Sequence, residues 1–115
     1  MSIDNALING VMKVYQSKGV GKFFSINFLD EQDGEFVFEV SFPADCLNPQ
    51  GNVQGGMITS MLDDCTALSV LFSTKGKKFP NTTDFHTTFH RPLSLETVTV
   101  KSSILKIGKN IVSVE

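Results

Sequence analysis

Tryptophan is absent from this 115-residue chain, tyrosine occurs once and cysteine only twice. Charge of either sign is scarce, with 10 Lys and Arg against 12 Asp and Glu, a net charge of −2 and a pI near 5.6. Each shortage excludes something. The near balance of charge, tilted to acid, argues against a nucleic-acid surface or an anionic membrane as the main partner, although basic residues can still gather around a phosphate. The cysteines, Cys46 and Cys65, show no CxxC spacing and no framework of pairs. They predict two free thiols in a reducing compartment. No apolar run approaches the roughly 20 residues that a membrane span needs. Met1 to Tyr15 is apolar in a periodic way but carries Asp4 and Asn5, which fits neither a signal peptide nor a span. The cytoplasm is the expected location. Internal repeats and low-complexity stretches are also missing.

What is present is phenylalanine, ten of them, within an apolar share of 41%. That share is ordinary for a globular protein, and the length predicts one domain over residues 1–115. Ile3, Leu7, Ile8, Val11, Met12 and Tyr15 recur at helical spacing, and Gly19 and Gly21 end the pattern. Phe24, Ile26 and Phe28 alternate with polar residues, as do Phe36, Phe38, Val40 and Phe42 after the polar turn Asp30 to Gly34. Together they predict a hairpin with one Phe-rich face buried. Gly55 to about Thr74 predicts a long helix with an apolar stripe through Ile58, Met61, Leu62, Cys65, Leu68 and Phe72. Val70 and Leu71 fall outside that stripe, so the helix should be buried on several sides. Three strands should follow, over Asn81–His90, Glu96–Lys106 and from Ile111 to Glu115, the last two joined by a turn at Gly108-Lys109-Asn110. An antiparallel sheet packed on one long helix is an α+β layout.

The chemistry concentrates in Asn48-Pro49-Gln50-Gly51-Asn52-Val53-Gln54-Gly55-Gly56 and the helix that follows it. Two glycines at a helix start let a ligand approach bare backbone. The first N–H groups there lack intrahelical acceptors and sit at the positive end of the helix dipole, which suits an oxyanion developing on a carbonyl. Asp63 lies two turns further on, among apolar and small residues. Eight residues of helix separate Gly55 from Asp63 by roughly 12 Å, so one carbonyl cannot touch both within one chain. If the two cooperate, they come from two subunits.

This pattern resembles the phenylacetyl-CoA-thioesterase-type (PaaI-type) branch of the hot-dog superfamily. The family motif runs Asn, two residues, Gly, two residues, His-Gly-Gly, then an acidic residue seven positions after the second Gly. Asn48, Gly51, Gly55, Gly56 and Asp63 fall on those positions, and Phe89-His90-Arg91-Pro92 is similar to the aromatic–x–Arg–Pro ending of the strand after the helix. The resemblance implies a hot-dog fold, an antiparallel sheet wrapped around one long central helix. It implies hydrolysis of a small or medium acyl- or aroyl-CoA thioester without metal or redox cofactor, in a homodimer or a dimer of dimers (a homotetramer) paired along the Asn81–His90 strand. Asp63 would be nucleophile or general base, and the Gly55 N–H from the other subunit would polarise the carbonyl. Asn48 would help hold the water or the carboxylate, and Thr82 would assist the acidic residue.

The chain departs from this pattern in two places. Gln54 stands where the family has His, and a glutamine donates a hydrogen bond but does not titrate. The chain also stops at Glu115 as a strand begins, so the closing C-terminal strand is expected to be missing or truncated. Other residues divide between two readings. Asn48 suits a turn cap as well as a site, and Gly56 suits ligand approach as well as a plain helix start. Lys77, Lys78 and Arg91 suit coenzyme A phosphates as well as a solvated surface. His86 and His90 stand roughly 13 Å apart along a strand, too far to share a metal ion. A non-catalytic acyl-CoA-binding module is the alternative that Gln54 raises. A dehydratase acting on a hydroxyacyl thioester ranks below it, because the loop before the helix contains no histidine.

Overall fold

The computed structural model describes residues 4–115, so Ile3 of the first apolar stripe lies outside the described residues. Helix α1 spans Asn5–Ser17 and is capped by Asp4, whose carboxylate accepts the Ala6 N–H at 2.9 Å. The helix stops before the two glycines, as expected, and a short 3-10 turn over Gly19–Phe23 follows. Strands β1 (Ser25–Gln32) and β2 (Glu35–Ser41) then form the hairpin. The strands run further than alternation alone suggests, because the turn needs only Asp33 and Gly34. Both take positive φ, 52° and 82°, the geometry that matches strand twist in a two-residue hairpin.

Helix α2 spans Gly55–Ser73 and is followed by β3 (Val98–Ile107) and β4 (Val112–Val114). The four strands form one antiparallel meander in the order β1-β2-β3-β4. Bulges at Phe28/Asp30 and Ile104/Lys106 each insert one extra residue. The inserted residues, Leu29 and Leu105, are turned out to solvent.

The sheet's inner face is the expected phenylalanine surface. Phe24, Ile26, Phe36, Phe38, Val40, Phe42 and Val100 meet Met61, Cys65, Leu68 and Phe72 of α2, and Met12 comes from α1. Phe28, Phe36 and Phe38 surround the Phe72 ring with centroids 5.2–6.5 Å away, distances at which edge-to-face and offset contacts are favourable. Val70 and Leu71 are buried as well, so α2 is covered on several sides toward its C-terminal end. Both cysteines are free and buried, and burial pushes the Cys65 thiol up to about 12, with Asp64 adding to the effect. No helix among the described residues is long and apolar enough to cross a membrane.

One expected element is corrected. Asn81–His90 forms no strand, although its alternating pattern predicts one. The segment has no ladder partner among the described residues, and alternation reports only a two-faced setting. A strand also requires a neighbour to take up its N–H and C=O groups. Between this segment and the β3–β4 hairpin lies a groove of about 630 Å³ floored by Leu62, Asp63, Thr66, Ala67 and Val70 of α2.

One polar link fixes α2 against the sheet. The hydroxyls of Ser69 and Ser102, both fully buried, are 2.8 Å apart, and Ser69 Oγ is 2.9 Å from the Cys65 carbonyl. Replacing one hydroxyl leaves the other buried with a lost partner, at a cost of about 1–3 kcal/mol. Ser69→Ala, which removes the hydroxyl that Ser102 meets, should therefore destabilise by that amount in urea titration. The Ser69→Ala/Ser102→Ala pair should cost less than the sum of the two single changes.

Candidate active site

The loop before α2 is held by its own backbone. Leu47 bridges Val53, Asn48 N–H donates to the Asn52 carbonyl at 2.7 Å, and Val53 N–H donates to Leu93 at 2.8 Å. Gly51 closes the turn at φ 84°. The Asn48 side chain works inside this loop, its Oδ1 accepting from Gln50 N–H at 3.0 Å and Asn52 N–H at 3.1 Å. That is the turn-capping use of the residue, and it leaves only the Nδ2 end for other partners.

Gln54 N–H donates to the Cys46 carbonyl at 2.8 Å, which anchors the residue at the helix entry. Its side chain is the N-cap of α2, with Oε1 accepting the Met57 N–H at 3.1 Å. Gly55 and Gly56 open the helix. A Cβ at Gly55 would find its nearest neighbour, the Phe89 ring, at 3.5 Å, which is ordinary contact. Packing within the chain does not require glycine there. Phe89, 53% exposed, was foreseen only as part of a strand-end motif and not as a neighbour of the helix start.

Asp63 and Asp64 are consecutive on α2 and therefore point about 100° apart. Asp63 faces the groove, and Thr82 Oγ1 donates to its Oδ1 at 2.5 Å. The structure thus brings together two of the residues singled out from sequence, although Thr82 lies on the segment that forms no strand. Lys78 lines the same groove, whereas Lys77 and Arg91 are exposed and do not line it. Gly55 and Asp63 share one helix, so the roughly 12 Å between them stands within a chain.

Asp64 turns toward the corner between α1 and the 3-10 turn. A Cβ at Gly21 would stand 3.2 Å from Asp64 Oδ2 and 2.0 Å from the Tyr15 carbonyl oxygen, so the close approach there requires glycine. Burial, then the neighbouring Asp63 charge, raises the Asp64 carboxyl from 3.8 to about 6. Tyr15 is raised by its own burial, then by Asp64 and Asp63. Tyr15 also stacks on Phe79, a groove residue, at a centroid distance of 6.4 Å.

The long helix, the phenylalanine-lined antiparallel sheet and the glycine pair at the helix start are the parts that the hot-dog resemblance implies. The chain belongs to the thioesterase superfamily, whose family model matches residues 50–115, more than half of its length. Gln54, Gly55, Gly56, Asp63 and Thr82 fall inside the matched span and Asn48 outside it. No curated protein sequence matches the chain. Among solved structures it is similar to a phenylacetic acid degradation-related protein of Ralstonia eutropha JMP134. That match has 25% identity and a TM-score of 0.70 over 98% of this chain and 77% of the other. Zebrafish thioesterase superfamily member 2 aligns with a TM-score of 0.75 at 15% identity, over 98% of this chain and 94% of the other. The PaaI protein of the E. coli phenylacetic acid degradation operon aligns with a TM-score of 0.61 at 16% identity, over 98% and 90%. The chain is PaaI-like in fold, and its family is the thioesterase superfamily.

The Asp64 carboxyl yields a test of this electrostatic setting. Its folded-state value lies above the ordinary 3.8 of an unfolded chain, so folding favours the protonated form. The contribution of Asp64 to stability is then fully present below about pH 4 and is lost as pH rises through 6. Asp64→Asn should raise the melting temperature at pH 7–8. The gain should shrink to nothing as pH falls toward 4, as followed by thermal unfolding across that range.

Proposed function

We propose that residues 1–115 act as one domain that hydrolyses a small or medium acyl- or aroyl-CoA thioester. Membership of the thioesterase superfamily supports thioester hydrolysis in general. The observation that carries the finer reading is the Asp63 carboxylate, held by the Thr82 hydroxyl at the floor of an open groove. A carboxylate with one oxygen fixed keeps the other free. As general base it takes a proton from a water, and the hydroxide attacks the thioester carbonyl. The tetrahedral intermediate then collapses with departure of the coenzyme A thiolate. As nucleophile it attacks the carbonyl itself and expels the coenzyme A thiolate, and water later cleaves the resulting anhydride.

The oxyanion in either route needs a donor, and the Gly55 N–H at the start of α2 suits that role. Since roughly 12 Å of helix separates it from Asp63, the donor is supplied by a second copy. The exposed Asn81–His90 segment supports such pairing, because its backbone has no ladder partner among the described residues and it displays Phe85 and Phe89 to solvent. A homodimer is the minimal unit of this reading, and a dimer of dimers satisfies it equally. Lys78 on the groove, with Lys77 and Arg91 nearby in sequence terms on exposed loops, would meet the phosphates of coenzyme A. The reaction requires neither metal nor redox cofactor, and the two buried free thiols fit a cytoplasmic setting.

A second reading, binding of acyl-CoA without hydrolysis, is favoured by one observation. Gln54 spends its carbonyl on capping α2, and it has no titratable group to offer. Thiol release from a panel of acyl- and aroyl-CoAs, measured beside equilibrium binding, separates the two. Hydrolysis that falls by about three orders of magnitude or more in Asp63→Asn, with the fold intact by circular dichroism, is the expected result. Binding with no thiol release would establish the second reading. Gly55→Ala should fold normally, given the room above it, and lose turnover by roughly tenfold or more as the bare approach to its N–H is obstructed.

A further inference from the structure

Gly56 has a neighbour that its place in the glycine pair does not explain. A Cβ on Gly56 would stand 2.9 Å from Gln54 Oε1, 3.4 Å from Nε2 and 3.5 Å from Cδ. The whole amide group of Gln54 therefore lies folded over the position where any other residue would carry its first side-chain atom. The orientation of that amide is chemically determined. The Met57 N–H is a donor, shared between the Gln54 backbone carbonyl at 2.9 Å and the side-chain oxygen at 3.1 Å, and only the oxygen end of the amide can accept it. With Oε1 so committed, Nε2 and its two N–H bonds are the free end, displayed at the helix start where the first backbone donors also lie.

We propose that Gly56 is a positioning residue for Gln54. Its missing Cβ lets the amide fold into the capping pose, and that pose pre-orients Nε2 as a second donor, beside the Gly55 N–H, for the thioester carbonyl. The inference rests on the thioesterase reading for its catalytic part, while the steric part stands on this geometry alone. It also separates the two glycines by purpose. Gly55 has 3.5 Å of clearance and stays bare for the ligand, whereas Gly56 is bare for Gln54. The clash at Gly56 is with the far end of a flexible side chain and not with backbone. Gly56→Ala therefore has a low-cost way to fold, by swinging the glutamine out of its cap.

The test is a double-mutant cycle on turnover using Gly56→Ala, Gln54→Ala and the pair, with kcat and KM resolved. Gly56→Ala should lower kcat/KM by about tenfold when Gln54 is present and change it little when Gln54 is already alanine. Independent losses that multiply in the double variant would overturn the proposal. A second measurement does not depend on activity. The side-chain amide resonances of Gln54 should show contacts to the Gly56 α-protons in the wild-type protein. In Gly56→Ala they should move to the shifts of a solvated glutamine. If the wild-type protein hydrolyses none of the acyl-CoAs, the thioesterase reading fails by itself and the resonances decide the positioning claim. A Gln54 amide that keeps its capped shifts in Gly56→Ala would overturn it.

Discussion

The constraint on which the rest depends is the rigidity of α2. Nineteen residues of unbroken helix, Gly55–Ser73, carry the glycine pair at one end and Asp63 two turns in. A helix does not shorten, so the separation between the Gly55 N–H and the Asp63 carboxylate on the same rod is fixed at roughly 12 Å. The sheet grips the rod unevenly. Cys65, Leu68, Ser69, Val70, Leu71 and Phe72 are buried, whereas from Gly55 to Ser60 no residue is fully buried. Burial of apolar side chains stabilises by about 25 cal/mol per Å², so the stretch from Met61 onward supplies most of the holding energy. The opening turns, from Gly55 to Ser60, are less deeply buried. In the proposed reading, stability and chemistry divide along one helix.

That division explains what was legible in the chain beforehand. The bounds of α2 could be read almost to the residue, because glycines, an apolar stripe and the basic Lys75-Gly76-Lys77-Lys78 turn all mark the same element. The Phe-rich hairpin was equally legible, since alternation and an Asp-Gly turn agree. Asn81–His90 was not. Its alternation is real, but a ladder is a non-local property, and the segment's own residues carry no record of whether a neighbour is in place. Phe89 escaped for a related reason. Its place beside Gly55 spans 34 positions of sequence, and nothing local distinguishes a phenylalanine that lies near a helix start from one that fills a core.

The acidic pair shows how spacing and environment divide the work. Both carboxylates follow the same apolar run, and composition alone cannot separate them. Motif spacing selects Asp63, and the helical rotation between neighbours then gives each a different surrounding. Asp63 meets Thr82 and the groove, while Asp64 meets Gly21 and the Tyr15 corner and is raised to about 6. The elevated value thus belongs to the residue away from the groove. Perturbed ionisation marks functional groups only in a statistical sense. Here it marks a half-buried carboxyl beside a like charge, and geometry has to decide which acid faces a substrate.

Gln54 and Asn48 extend the same reasoning to the polar residues of the loop. Each is an amide whose oxygen is already committed to backbone N–H groups, Gln54 to Met57 and Asn48 to Gln50 and Asn52. An amide so fixed has lost one function and gained another, because its nitrogen end is now held in a known direction without a separate support. A histidine at position 54 would change its donor capacity with protonation near neutral pH. A capped glutamine offers the same two N–H bonds at every pH at which the helix persists. The substitution that weakens the resemblance in sequence therefore makes physical sense as a trade. The chain gives up a titratable ring and acquires a neutral donor whose pose is set by the helix it caps.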